Sequence, residues 1–203
     1  MTWANAGVGA DTIDDLVNST ATIAAHTPML DAGNCSVTLT AGIQDITNTL
    51  VGDYNLNDVL RIILETMYRG MGFSQVLLCT CDPRTKRLKA RFGFGARTEN
   101  SVAHFSVPLG HAQDVFQLAL EKNVDLFVAD TRAANISSRI PAWYRDKINA
   151  QTFLLLPIVV NKKVIGMFYA DRDNAGELTI EPDHLRLLKT LRNQAVLAIR
   201  QNH

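Results

Sequence analysis

Two cysteines two positions apart, Cys79 and Cys81, are the residues of this chain best suited by type to redox chemistry or metal clipping. They fall within one expected strand, where side chains two apart point the same way but hold their Cβ atoms too far apart for an unstrained disulfide. The residues around them are apolar, so the reading favoured is two small buried hydrophobes. Redox catalysis by such cysteines needs them reactive, in mobile loops and with lowered pKa, which this placement does not offer. His111 opens an expected helix, where the amide dipole favours anions; the plainer alternative is a solvated or capping polar residue. Asp130, Arg132, Asn135 and Arg139 flank a long irregular segment and can meet polar groups of a ligand. Trp143 and Tyr144 lie in that segment, where two aromatics can close an apolar pocket while Tyr144 keeps a hydroxyl available. Phe92, Phe94, Phe105 and Tyr169 are placed on the opposite wall. The competing reading is that these aromatics simply fill the core. No Ser/His/Asp, Walker or HExxH pattern and no paired carboxylates are present, so neither a catalytic set nor a metal site is expected.

The bulk composition narrows the function classes. The 203 residues are 47% hydrophobic, with 20 basic and 20 acidic side chains. That balance gives no electrostatic lead toward nucleic acid or an anionic membrane. No apolar run approaches the roughly 20 residues of a membrane helix, and the start of the chain lacks a basic-then-apolar signal pattern. A cytoplasmic protein is expected, and three cysteines, Cys35, Cys79 and Cys81, fit a reducing compartment.

The elements that must position these residues centre on residues 151–171, QTFLLLPIVVNKKVIGMFYAD. Two branched and aromatic runs joined by a polar turn predict a β-hairpin. Neither run alternates cleanly: Val164, Gly166, Phe168 and Ala170 would point one way, and Ile165, Met167 and Tyr169 the other, so both faces must be covered. Gly166 marks a close backbone approach. Upstream, residues 1–35 read as a linker or the remnant of a preceding region, with a weak helix over 12–25. Residues 36–203 form one domain. Leu39, Ile43, Ile46 and Leu50 repeat at four, three and four, and Leu188, Leu191, Ala195 and Ala198 at three, four and three; each is a helical seam. The stripes meet either a second copy of the chain or the protein's own sheet. Between them come a helix capped by Asn55 and ended at Gly70 and Gly72, a hairpin over 73–81 and 88–94, a polar loop at 97–101, a strand over 103–107, a helix over 111–122, a strand over 125–129, and a last helix over 181–201.

This order, with VPLG at 107–110, LFVAD ending at Asp130, LLLPIVVNKKVIGMFYAD at 154–171 and EPDHLRLLKTLRNQAVLAI at 181–199, resembles the GAF domain, a sensor module related to PAS domains. Residues 166–171 match the family's G-hydrophobic-hydrophobic-x-x-D pattern, and Asp183 its acidic residue before the last helix. The resemblance implies an α+β fold: a central antiparallel sheet of about six strands, terminal helices on one face, and an irregular or helical cover over a ligand pocket on the other. It implies a regulatory, non-enzymatic module of a bacterial signal transduction protein that senses a small molecule of unknown identity and couples to an output domain in the same or a partner chain. On this reading the pocket residues are Phe94, Phe105, His111, Asp130, Arg139, Trp143, Tyr144 and Tyr169, and the two seams join a homodimer. The alternative is a dimerisation scaffold with a degenerate pocket. Relatives that bind cyclic nucleotides carry an Asn-Lys, Phe, Asp-Glu signature, where this chain has Arg172-Asp173-Asn174 and Asp183-His184. Those that bind bilins need an attachment cysteine in a loop.

Overall fold

The computed structural model describes residues 32–110 and 113–202; the expected helix over 12–25 and His111 lie outside the described residues. Two helices lead, α1 (Ala32–Thr49) and α2 (Leu56–Met71). The Asn55 side chain accepts from Asn57 N at 2.9 Å at the start of α2, and Gly72, left-handed at φ 59°, closes its other end. Strands β1 (Gln75–Asp82) and β2 (Arg87–Gly95) follow, then α3 (Thr98–His104), β3 (Ser106–Pro108), α4 (Val115–Lys122) and β4 (Leu126–Val128). A 3₁₀ turn at Ser137–Arg139 and the short helix α5 (Ala142–Lys147) occupy the irregular segment, before β5 (Thr152–Val160), β6 (Lys163–Arg172) and α6 (Pro182–Gln201).

The six strands form one sheet in the order β3-β2-β1-β6-β5-β4, with every pair antiparallel. The β5–β6 hairpin is closed by Asn161 and Lys162, at φ 50° and 64°, a two-residue turn whose twist suits a hairpin. Both of its faces are covered. Phe153, Leu155, Met167 and Tyr169 enter one apolar cluster, while Leu154, Leu156, Phe168 and Ala170 enter the other. The sequence alternation errs at one step. The register slips after Ile158, which pairs with Gly166, so that Val159 pairs with Val164 and Ile165 is the extra residue of a bulge. Val164 therefore packs with Met167 and Tyr169, and Ile165 joins the Phe168 face. What approaches Gly166 is the neighbouring strand: a Cβ there would sit 2.5 Å from the Cys79 carbonyl oxygen.

Helices α1, α2 and α6 form the layer on the Phe168 face. Leu39, Ile46, Leu188, Leu191, Ala195 and Ala198 are fully buried in it, and Ile43 and Leu50 are partly buried against it. Gln194 Nε2 donates to Ile43 O at 3.1 Å and to Thr47 Oγ1 at 2.7 Å, and Tyr54 OH donates to Ala198 O at 3.0 Å. Both seams are thus consumed within the chain. The stripes pack on one another and on the protein's own sheet, the second of the two partners expected for them. The exposed large hydrophobics of the described residues are Val37, Val51 and Leu197.

On the opposite face lie α3, α4, α5 and the segment between β4 and β5. Helix α3 replaces the expected loop and the first part of the expected strand: Thr98 Oγ1 donates to Gly95 O at 2.7 Å and Phe105 N to Ser101 O at 2.7 Å, leaving Ser106–Pro108 as strand. Phe105 is buried just after this helix, so its apolar character alone could not distinguish a strand from a helix end.

Candidate functional site

The face under α4 and α5 holds a cluster of six aromatic rings. Alternation on β5 and β6 delivers Phe153 and Tyr169, α4 delivers Phe116, the turn into β3 delivers Phe105, and α5 delivers Trp143 and Tyr144. Phe116 sits at its centre, with ring centroids 5.7 Å from Phe105 and 5.2 Å from each of Trp143, Tyr144 and Phe153. Tyr169 lies 4.8 Å from Phe105 and 6.0 Å from Phe153. These rings fill the space rather than line an open cavity, with Phe105, Phe116, Tyr144, Phe153 and Tyr169 at most 1% exposed.

One edge of the cluster is polar. Tyr169 and Asp171, two apart on β6, share a face, and Tyr169 OH donates to Asp171 Oδ2 at 2.6 Å. Gln75, opposite Asp171 in the β1–β6 register, donates from Nε2 to the same oxygen at 2.6 Å. Tyr144 OH lies 2.9 Å from Tyr169 OH. Since Tyr169 directs its one hydroxyl hydrogen at the carboxylate, Tyr144 donates in this pair, and its 3.3 Å approach to Ala150 O is the weaker option. The charge is met from outside by Arg97, which donates to Asp171 Oδ1 at 3.2 Å, to Asp173 Oδ1 at 2.5 Å and to Ile148 O at 3.3 Å. Arg97 thereby ties the β2–α3 loop to the end of β6 and to the end of α5.

Asp171 is fully buried, as is Gln75. Desolvation pushes the Asp171 carboxyl from 3.8 up to about 6, against the opposing hydrogen bonds from Tyr169 and Gln75 and the charge of Arg97. Burial, and then the Asp171 charge, pushes both the Tyr169 and Tyr144 hydroxyls up. Two buried atoms here have no hydrogen-bond partner among the described residues, Gln75 Oε1 and Trp143 Nε1.

Of the residues singled out by sequence, Phe105, Trp143, Tyr144 and Tyr169 meet in this site. Phe94 does not. With Phe92 it faces the helix layer, where it stacks on Tyr68 at 6.4 Å while Arg61 lies 5.4 Å over Phe92. Asp130 turns back on its own loop, accepting from Arg132 N at 2.9 Å and pairing with Arg132 Nε at 3.4 Å. Arg139 ends the 3₁₀ turn, half-buried. Gln75, Arg97, Phe116, Phe153 and Asp171 were not singled out by sequence. Asp171 carried a readable signal, a carboxylate two residues beyond Tyr169 on a strand covered on both faces.

Cys79 is buried in β1 on the aromatic side, and desolvation raises its thiol well above the ordinary range; Cys81 is half-buried and raised for the same reason. A groove of about 550 Å³ opens on the helix face instead, lined by Leu60, Leu78, Phe92, Ile158, Ile165 and Ile199 among others. Among the described residues no cluster of metal-ligating side chains occurs, and no helix is long and apolar enough to cross a membrane.

Solved structures with this architecture place the chain. The GAF domain of an Acinetobacter phosphoenolpyruvate-protein phosphotransferase superposes with a TM-score of 0.64 at 20% identity, covering 82% of this chain and 93% of that one. Residues 122 to 287 of a methyl-accepting chemotaxis protein superpose with a TM-score of 0.58 at 19% identity, over 82% and 95% of the two chains. The free methionine-R-sulfoxide reductase of Neisseria meningitidis, in complex with its substrate, gives 0.59 at 17% identity over 89% and 99%. No curated protein matches by sequence. The GAF domain family matches residues 53–200, which run from the turn before α2 almost to the end of α6, and the chain belongs to that family.

Proposed function

We propose that this domain is a regulatory sensor of a bacterial signal transduction protein, in which a small molecule engages the aromatic and polar site beneath α5 and the sheet passes that event to α1, α2 and α6. The observation that carries this reading is the buried chain Tyr144–Tyr169–Asp171, ending at the half-exposed Arg97, inside an otherwise apolar cluster. Converging polar groups with a raised carboxyl among aromatic rings are the features of a recognition site. The unmatched donor of Trp143 adds a group that a ligand oxygen would satisfy. Because the rings occupy the space in the closed form, binding requires α5 to move. That short segment, of six helical residues, is the cover element with least regular structure behind it.

Transmission follows from the alternation of β5 and β6. Residues in contact with the site alternate with residues that contact the helices, so a shift of either strand is felt on both faces. The ligand drives this only to the extent that it binds the moved form better. A regulatory rather than catalytic role is supported by the placement of Cys79 and Cys81 in a strand with raised thiols, since a nucleophilic thiolate needs the opposite shift. The similar structures from a methyl-accepting chemotaxis protein and a phosphoenolpyruvate-protein phosphotransferase are in keeping with a cytoplasmic module beside an output domain.

The test is a thermal-shift panel of purines, cyclic nucleotides, amino acids and haem against the wild type and Trp143→Ala. A rise in Tm with at least one compound, altered by the substitution, is expected. No shift with any compound would overturn small-molecule sensing.

A further inference from the structure

We propose that the chain Asp171–Tyr169–Tyr144–Ala150 is a proton-operated switch, in which uptake of one proton by Asp171 reverses the direction of the hydrogen bonds and changes how α5 is tied to the sheet. The signal here is the proton itself, which needs neither a small molecule nor space beneath α5.

In the ionised form each hydroxyl hydrogen points toward the carboxylate: Tyr144 donates to Tyr169, and Tyr169 to Asp171 Oδ2 at 2.6 Å. A proton taken from solvent onto Oδ2 turns that oxygen into a donor toward Tyr169. Tyr169 has then to rotate its own hydrogen toward Tyr144, 2.9 Å away, and Tyr144 to rotate its hydrogen toward the Ala150 carbonyl, 3.3 Å away. No proton moves between the tyrosines; two O–H groups change direction and one is formed. Every group remains satisfied, because the chain ends on an acceptor that the ionised form leaves weakly used. Gln75 Nε2 still donates to Oδ2.

The tethers of α5 change with the direction. Arg97 loses its charged partner at 3.2 Å and keeps Asp173 and Ile148 O, while the Tyr144–Ala150 bond at the end of α5 strengthens. The groups facing Asp171 are Gln75 from β1, Tyr169 from its own strand, Tyr144 from α5, Arg97 from the β2–α3 loop and Asp173 just beyond β6. Its cross-strand neighbour on β5 is the apolar Phe153. One cation shared between two carboxylates, with no water-exposed face on the inner one, is the geometry in which a proton can replace the missing half of the charge. The burial that raises this carboxyl toward 6 puts the switch in a range that acidification can reach.

Trp143, next to Tyr144 on α5 with ring centroids 5.8 Å apart, reports on it. In a Trp3→Phe background its fluorescence is followed from pH 4.5 to 8, with folding checked by circular dichroism. A single transition with a midpoint near pH 6 is expected, absent in Asp171→Asn and much reduced in Tyr169→Phe, where the carboxyl titrates but the chain is cut. A transition that persists in Asp171→Asn, or that keeps its amplitude in Tyr169→Phe, overturns the proposal. The carboxyl carbon of Asp171 is read by NMR in the unsubstituted protein, so that a poorly folding variant does not decide the matter: a midpoint near 6 supports the switch, and one below 4.5 overturns it.

Discussion

Replacing Asp171 by Asn should stabilise this protein at neutral pH. The folded carboxyl lies at about 6, against 3.8 for the group in the open, so the unfolded chain gives up its proton first as pH rises. Stability falls between those values and is level above them, and at pH 7.5 the ionised carboxylate carries the whole penalty. A displacement from 3.8 to about 6 corresponds to about 3 kcal/mol, at about 1.4 kcal/mol per pH unit, and this is an upper bound on the gain. Asn fits the same surroundings. Its oxygen accepts from Arg97, and its nitrogen donates to Tyr169 and, once the Gln75 amide turns over, to the Gln75 Oε1 that has no partner in the wild type. We expect a gain of about 1–3 kcal/mol at pH 7.5 in urea denaturation, shrinking toward zero as pH is lowered to 4. In a chain of this size that is roughly a 2–10 °C rise in Tm. Asp171→Asn less stable than the wild type at pH 7.5, or equally displaced from it at both ends of the range, would refute the reasoning.

Phe116→Ala, which empties the centre of the aromatic cluster, should cost about 3–5 kcal/mol in the same assay, and a loss under 1 kcal/mol would show that the cluster collapses onto the gap. Gly166→Ala should cost about 1–3 kcal/mol, since its Cβ meets the Cys79 carbonyl at 2.5 Å and β1 must yield; an unchanged midpoint would mean that the strands separate freely. Cys79 should stay unmodified by a thiol reagent in the folded protein and react only on unfolding. Fast labelling under native conditions would reopen the catalytic reading.

Much of the architecture is legible in the sequence because it rests on periodicity. The two-sided burial of β5 and β6, the Asn161–Lys162 turn, the Asn55 cap and the seams of α1 and α6 follow from spacing and turn chemistry. What spacing leaves open is the partner of each stripe, and packing within the chain follows from α1, α2 and α6 sharing one buried layer with the sheet, a tertiary fact. The bulge at Ile165 was hidden because Val, Ile and Met suit either face. Phe94 was misplaced for a related reason: the face of β2 depends on its register with β1, which itself slips between Leu78 and Cys79. The polar edge of the site was the least readable part, since Gln75, Arg97 and Asp171 come from three separate stretches of chain and meet only through the pairing of β1 with β6 and the loop that follows β2. Tyr169 and Asp171, two apart on one strand, were the part of it that local sequence could have revealed.

Coupling between the two faces of the sheet is the claim on which the sensor reading stands. It is tested most directly by methyl NMR of Leu188, Ala195 and Ala198, buried in the helix layer, during titration with the panel compound that gives the largest thermal shift. These methyls and the ring signals of Phe153 and Tyr169, on the far face, should move together with one saturation curve. Shifts confined to the aromatic side, with the helix layer still at saturation, would contradict it.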